Sequence, residues 1–390
     1  MKKSFALILK HILLPGIMIA CTGKEKSSML NDCAVVAHID EKGVVALNLS
    51  SVRDTIDMPM STLFSAFEII RLENSDEAIT GEGNVWVSER HIGIYSYAVG
   101  AYQLYDKTGK FLGAVTKRGQ GPDEFVIGLY DSYIDETEGK IYILSFRSTK
   151  IMVFDLQGNP LAPIPLPFVV HKGRMKINVK EKTLVMLALP LDDTPYAVWK
   201  QDFKGNIIQS IPAAQFILEH GYYSNEVGET FNANDIAYSL TRILPETDTL
   251  YHYDASANVL IPKFTANFPH DVKLHDYNEL SKYYVFRMTV LAPPTGDANR
   301  SPMILVDKQT LRGAYVRWQL DMLGNIFGAN YVSFNRGYYT SSMHPSILKE
   351  RLAFALEKEN LSDEMQKKLS ELNSSITDDD NNIVLIGKLK

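Results

Sequence analysis

Apolar and polar residues alternate along much of the chain in short runs, the period-two pattern of half-buried strands. Five of these runs end the same way, in an aspartate followed by a short polar turn and a second apolar run. They are Tyr102–Asp106, Ile151–Asp155, Val198–Asp202, Leu250–Asp254 and Met303–Asp307, and their aspartates are 49, 47, 52 and 53 residues apart. In the first three, glycine stands at Gly109, Gly158 and Gly205. Asp caps such a turn through its own backbone and Gly supplies a positive φ, so each segment predicts a strand, a turn and a strand. Further strand-like runs, Asn84–Ser88, Lys140–Leu144 and Thr183–Leu187, lie between them.

An all-β unit of about fifty residues repeated at least five times predicts a β-propeller, and the length accommodates six blades. Two runs stand alone, Val44–Asn48 near the N-terminus and Asn382–Lys390 at the C-terminus. We expect both in one shared blade that closes the ring and leaves no sheet edge open. One segment departs from the pattern. Between residues 345 and 375, Leu361, Met365, Leu369 and Leu372 recur at helical spacing, and Ser362-Asp363-Glu364 is a helix start. The expected fold is therefore an all-β, six-bladed β-propeller over residues 41–390, with a helical insertion at 345–375 before the ring-closing strand.

The motifs between blades resemble those of a known family. Phe67–Glu73 is similar to the opening strand of the six-bladed β-propeller lipoproteins of Bacteroides-type bacteria, which are related in shape to NHL and TolB-like propellers. Gly109-Lys-Phe-Leu-Gly113 followed by Arg118-Gly-Gln-Gly-Pro-Asp-Glu-Phe125 resembles the family's hallmark, as do Thr247–Tyr251 with Pro262–Phe264 and the ending Asp380–Lys390. Asn382 stands where the family commonly has proline. The resemblance implies a propeller but no particular activity, because propellers host binding and catalysis alike.

The N-terminus changes the picture of where the protein resides. Lys2 and Lys3 precede an apolar stretch interrupted at Lys10 and His11 that ends in Ile19-Ala20-Cys21. Such a stretch is too short and broken to span a membrane. It resembles a bacterial lipobox, which implies a signal peptide over residues 1–20, a lipid on Cys21 and a tether over residues 21–40. Thr22–Lys26 partly resembles a surface-export signal, so the expected location is the cell envelope. The protein would be an outer-membrane lipoprotein facing the periplasm or the cell surface.

Composition then excludes several roles. The chain of 390 residues carries 40 Lys+Arg against 46 Asp+Glu, a net charge of −6. Loss of Lys2, Lys3 and Lys10 with the signal leaves 37 against 46, or −9, which argues against a nucleic-acid partner. Two cysteines make neither a disulfide framework nor a four-thiolate zinc site. Arg118–Phe125 lacks the endings of phosphate-binding loops; it reads as a turn in which Gly119 and Gly121 permit positive φ and Glu124 caps amides. Of its residues, Arg118 and Gln120 are the candidates to face a ligand. Arg147, after the Lys140–Leu144 run, is a candidate for the mouth of the ring, and Tyr97 belongs to an aromatic cluster able to stack on sugar. The pairs His270-Asp271 and His275-Asp276 lack metal-site spacing and read as surface loop. No catalytic triad, resident cofactor or metal set emerges. The expected function is a non-catalytic, membrane-anchored binding module for a glycan, peptide or envelope protein. The alternative is a metal-dependent hydrolase or lyase with a divalent ion in the channel.

Overall fold

The computed structural model describes residues 19–20 and 29–390, apart from 192, 218–224, 229–230, 234, 242–246, 268–271, 292–297, 301–302, 328–331 and 359–360. Six antiparallel sheets are arranged as blades. Blade 1 is Gly83–Val87, His91–Ser96, Ala101–Asp106 and Phe111–Lys117; blade 2 is Leu129–Asp135, Lys140–Ser145, Ser148–Asp155 and Pro160–Val170. Blade 3 is Gly173–Asn178, Thr183–Ala188, Tyr196–Asp202 and Ile207–Pro212. In blade 4, Glu226–Val227 pairs with Leu240–Thr241, and Ile236–Tyr238 pairs with Thr247–Asp254, followed by Val259–Asn267. Blade 5 is built on Val272–Glu279, Tyr283–Leu291, Met303–Asp307 and Gly313–Leu320.

Blade 6 explains why five Asp hairpins make six blades. Its first two strands, Ser333–Asn335 and Tyr338–Met343, continue from blade 5, but its third is the C-terminal Ile383–Leu389 and its fourth is Phe64–Arg71. The hairpin that carries the aspartate elsewhere is replaced here by the two ends of the propeller chain. In the other five blades the aspartate caps that hairpin: its Oδ1 accepts the amides of Thr108, Gln157, Lys204, Ser256 and Gln309 in turn. Gly109 has φ +89° and a Cβ there would meet the Arg71 carbonyl, so no other residue fits.

Ring closure differs from expectation in its N-terminal partner. Val45–Leu47 does not share a blade with the C-terminus. It pairs in parallel with Val259–Asn267 of blade 4, and Ala37–Ile39 pairs outside it. Thr55–Pro59 then adds in parallel to Gly313–Leu320 of blade 5 before Phe64–Arg71 enters blade 6. The chain from residue 37 to 63 is thus a belt that covers the outer edges of two blades. Packing begins earlier still, since Leu30, Cys33 and Val36 are buried. Ile19–Ala20 lies against the outer edge of Phe64–Arg71.

Each blade interface holds its own apolar core, and six clusters of buried side chains follow the ring. The largest spans blades 5 and 6 and takes in Leu348, Leu352 and Leu369 from two helices, α1 (Pro345–Leu356) and α2 (Asp363–Ser375). Ser362 caps α2 by accepting the Met365 amide, with Asp363 and Glu364 in the first turn, where the helix dipole favours acids. The helices connect the second and third strands of blade 6. They therefore lie at the end of the ring where the chain crosses from blade to blade, the crossover end; the Asp hairpins mark the opposite, hairpin end.

Candidate functional site

The axis of the ring is held by one polar network that draws on all six blades. The tight turn Asn335-Arg336-Gly337 has φ +53° at Arg336 and +78° at Gly337, which projects the arginine inward. Arg336 Nη2 donates to Asp131 Oδ2 at 2.6 Å and to the Met175 carbonyl at 2.7 Å. Its guanidinium lies over the rings of Phe231 (4.7 Å) and Tyr133 (5.6 Å). Asp131 also accepts from Trp86 Nε1 (3.3 Å), the Ser132 amide (2.9 Å) and the Met175 amide (2.8 Å). On the other side, Asn232 Nδ2 donates to the Phe334 carbonyl and to Asn278 Oδ1, while its Oδ1 accepts from the Gly337 amide. Asp131 is fully buried and accepts from four donors, so it has no lone pair left for a metal or a proton transfer.

Two cavities flank this network. At the crossover end, about 280 Å³ is enclosed by the inner strand of blade 1, blade 6 and α1. Its lining is mixed: Asn84, Ser333, Asn335, Thr340 and Ser342 bring hydroxyls and amides, Glu82, Arg174 and Arg351 charge, and Val85, Trp86, Met343 and Ile347 apolar surface. Asn84 is exposed on a strand whose neighbour Gly83 must be glycine, since a Cβ there would fall 2.0 Å from the Tyr95 carbonyl. Trp86 and Arg174 line this cavity, whereas Tyr133 and Lys176 line a second one of about 560 Å³ at the hairpin end. The Arg336–Asp131 pair, touching Trp86 and Tyr133, stands between them.

The residues singled out in the sequence sit on the crossover end of blades 1 and 2, beside the cavity and not in its lining. Arg118 and Tyr97 come together: Arg118 Nη2 donates to the Tyr97 carbonyl at 3.4 Å, and the Tyr97 ring is 57% exposed, 5.0 Å from Tyr95. Gln120 is exposed on the same loop. Arg147 is exposed in the neighbouring hairpin with φ +52°, its amide donating to the His171 carbonyl. Cys21 lies outside the described residues. The Arg118–Phe125 loop is a turn capped by Glu124 as expected, but neither Gly119 nor Gly121 has the positive φ expected of it. Glu124 accepts the Gly121 amide at 2.9 Å and its carboxylate occupies the space a Gly119 Cβ would need, while Phe125 is buried edge-on against Tyr95.

Sequence reasoning missed a cluster beside these residues. Lys172 is buried, with Nζ 2.6 Å from Glu226 Oε1 and over the Tyr130 ring, and Arg174 Nη1 donates to the Tyr130 carbonyl. Burial raises the Tyr130 hydroxyl well above the usual tyrosine range, with Glu226 adding to it, and raises Tyr97 in the same way. The only signal was the run His171-Lys172-Gly173-Arg174 at the start of a strand, three basic side chains where the first strands of blades 1 and 2 begin with none.

The histidine reading is corrected in part. His275 is not in a surface loop; it is fully buried on the inner strand of blade 5, its Nε2 3.0 Å from Asp248, because the strand runs through Val272–Glu279. His270 and Asp271 lie outside the described residues. Among the described residues no group of three His, Cys, Asp or Glu side chains is placed to hold a metal ion. Among them, too, no helix is long and apolar enough to cross a membrane.

The sequence matches the family described as Domain of unknown function (DUF4934) over residues 44–388, nearly the whole ring. The chain belongs to this family. Among solved structures, this DUF4934 chain is similar to a protein of Bacteroides fragilis described as exported, with TM-score 0.58 and 15% identity, covering 89% of this chain and 99% of that one. That likeness shows the propeller fold. A member of the DUF4221 family from Bacteroides vulgatus matches at TM-score 0.42 and 9% identity, over 84% and 97% of the two chains. An oligogalacturonate lyase in complex with manganese matches at 0.40 and 9%, over 80% and 78%. No curated protein matches the sequence.

Proposed function

We propose that this protein is a lipid-anchored binding module of the cell envelope that holds a polar glycan segment at the crossover end of its channel. The reading is carried by the chemistry of the 280 Å³ cavity. Its Asn, Ser and Thr side chains are the neutral donors and acceptors that match sugar hydroxyls, on rigid strand positions, with Ile347 and Met343 supplying apolar contact. The adjoining exposed Tyr97 ring offers a stacking surface, and Arg118 beside it a donor. Asp131, the carboxylate of the axial network, is saturated, which favours binding over acid–base chemistry there.

The anchor fits this face. Cys33 is held at the hairpin end, its carbonyl accepting from Arg312, and only seven residues separate Cys21 from Met29. Extended, they reach at most ~28 Å. A lipid on Cys21 would hold the hairpin end toward the membrane and leave the crossover end free, in an outer-membrane lipoprotein of NHL/TolB-like shape. Hydrogen exchange of the purified protein with and without a mixture of neutral oligosaccharides tests the reading. Amides of residues 83–87 and 333–343 should slow when sugar is present. Unchanged exchange across every glycan tried would remove it.

A further inference from the structure

The crossover cavity carries more positive charge than a neutral sugar calls for. Among the described residues its lining holds two arginines, Arg174 and Arg351 of α1, against one carboxylate, the exposed Glu82. Arg174 lies on the inner strand of blade 3, partly buried, and is held from both sides. Its Nη1 donates to the Tyr130 carbonyl of blade 2, and its Nη2 reaches the Val227 carbonyl of blade 4 at 3.5 Å. Two of the five N–H groups of a guanidinium are engaged in this way and three are left. The carboxylates beside these partners are already committed. Glu226, next to Val227, is 2.6 Å from Lys172, and Asp131, next to Tyr130, is 2.6 Å from Arg336. Arg174 itself has no carboxylate within ion-pair distance among the described residues.

Two atoms of the lining residues lack partners altogether. Arg174 Nε, a donor, and Asn335 Oδ1, an acceptor, are buried and make no hydrogen bond among the described residues. Unpaired buried groups of this kind cost free energy, which a ligand recovers by bringing an acceptor to the guanidinium and a hydroxyl to the amide. The planar guanidinium matches the two coplanar oxygens of a carboxylate, and one carboxylate balances the single surplus charge of the lining. Asn84, Thr340 and Ser342 then remain for the other hydroxyls of the same ring.

We propose that Arg174 makes the crossover cavity select sugars that carry a carboxylate. This rests on the glycan reading and narrows it to acidic sugars, with neutral ones held more weakly by the same hydroxyls and amides. Calorimetric titration of the purified protein with matched disaccharides tests it: those of glucose, galactose and mannose, each against its counterpart with C6 oxidised to the carboxylate. At least one acid should bind about tenfold or more tighter than its neutral counterpart, the scale of a charge-assisted hydrogen bond. Arg174→Gln should erase that preference. Should the variant fail to fold, the wild type decides, since raising the salt concentration should weaken the acid and not the neutral sugar. Equal affinity for each acid and its neutral counterpart, a preference that survives Arg174→Gln, or acid binding indifferent to salt would overturn the inference and leave the glycan reading standing. No binding of any of the six would remove both.

Discussion

Replacing Arg336 by methionine removes the charge that faces Asp131 while keeping much of the side-chain volume. The fully buried carboxylate then keeps its donors from Trp86, Ser132 and Met175 but loses its only cation, 2.6 Å away. Breaking a buried pair from one side typically costs about 3–5 kcal/mol. A chain of this length unfolds with an entropy of roughly 0.8 kcal/mol/K, so the midpoint should fall by about 4–6 °C. Scanning calorimetry reads this directly. Asp131→Asn in the same chain removes the stranded charge, so the double variant should recover a degree or more relative to Arg336→Met alone, a coupling expected of residues in contact. A fall of less than about 1 °C in the single variant, or a double variant whose losses simply add, would refute the idea that this pair fastens the axis.

Other consequences follow from particular contacts. Phe125→Ala removes a buried ring that packs edge-on against Tyr95 between blades 1 and 2, and should cost about 3–5 kcal/mol in denaturant unfolding. Deleting residues 382–390 takes away the third strand of blade 6, so the purified protein should lose its cooperative thermal transition; a sharp transition would show that the ring closes without it. Burial acts to raise the Glu136 pKa, but hydrogen bonds from Ser88, His91 and the Arg90 amide override it and hold the group at about 2. Its folded pKa lies below that of an exposed glutamate, so its stabilising contribution is complete above about pH 4.5 and is lost as pH falls toward 2. Glu136→Gln should therefore narrow the difference in stability between pH 6 and pH 3, measured by denaturant melts; an unchanged difference would contradict the assignment.

The propeller was legible in the sequence because its aspartate hairpins are local. Each places a carboxylate, two amides and a turn within five residues, so period and spacing survive without knowledge of the rest of the chain. The sixth blade was harder to read, since its third and fourth strands come from opposite ends of the chain and Val45–Leu47 has the same alternation as Phe64–Arg71. What separates them is the partner: the first meets blade 4 in parallel, which no local pattern encodes. The axial network was invisible for a related reason. Successive members of the set Trp86, Asp131, Asn232, Asn278 and Arg336 lie at least 45 residues apart and meet only when the ring closes. Gly119 shows how a correct turn can carry a wrong mechanism, as the glycine makes room for the Glu124 carboxylate and not for an unusual φ.

The central claim, that the crossover cavity is the ligand site, is tested most directly by probing a glycan array with the purified protein and its Asn84→Trp variant side by side. Asn84 is exposed within the cavity, so tryptophan there fills the space and leaves the blade interfaces intact. The account predicts one or more glycans bound by the wild type and lost in the variant at unchanged melting temperature. Binding that survives the substitution, or a wild type that binds no glycan, would contradict it.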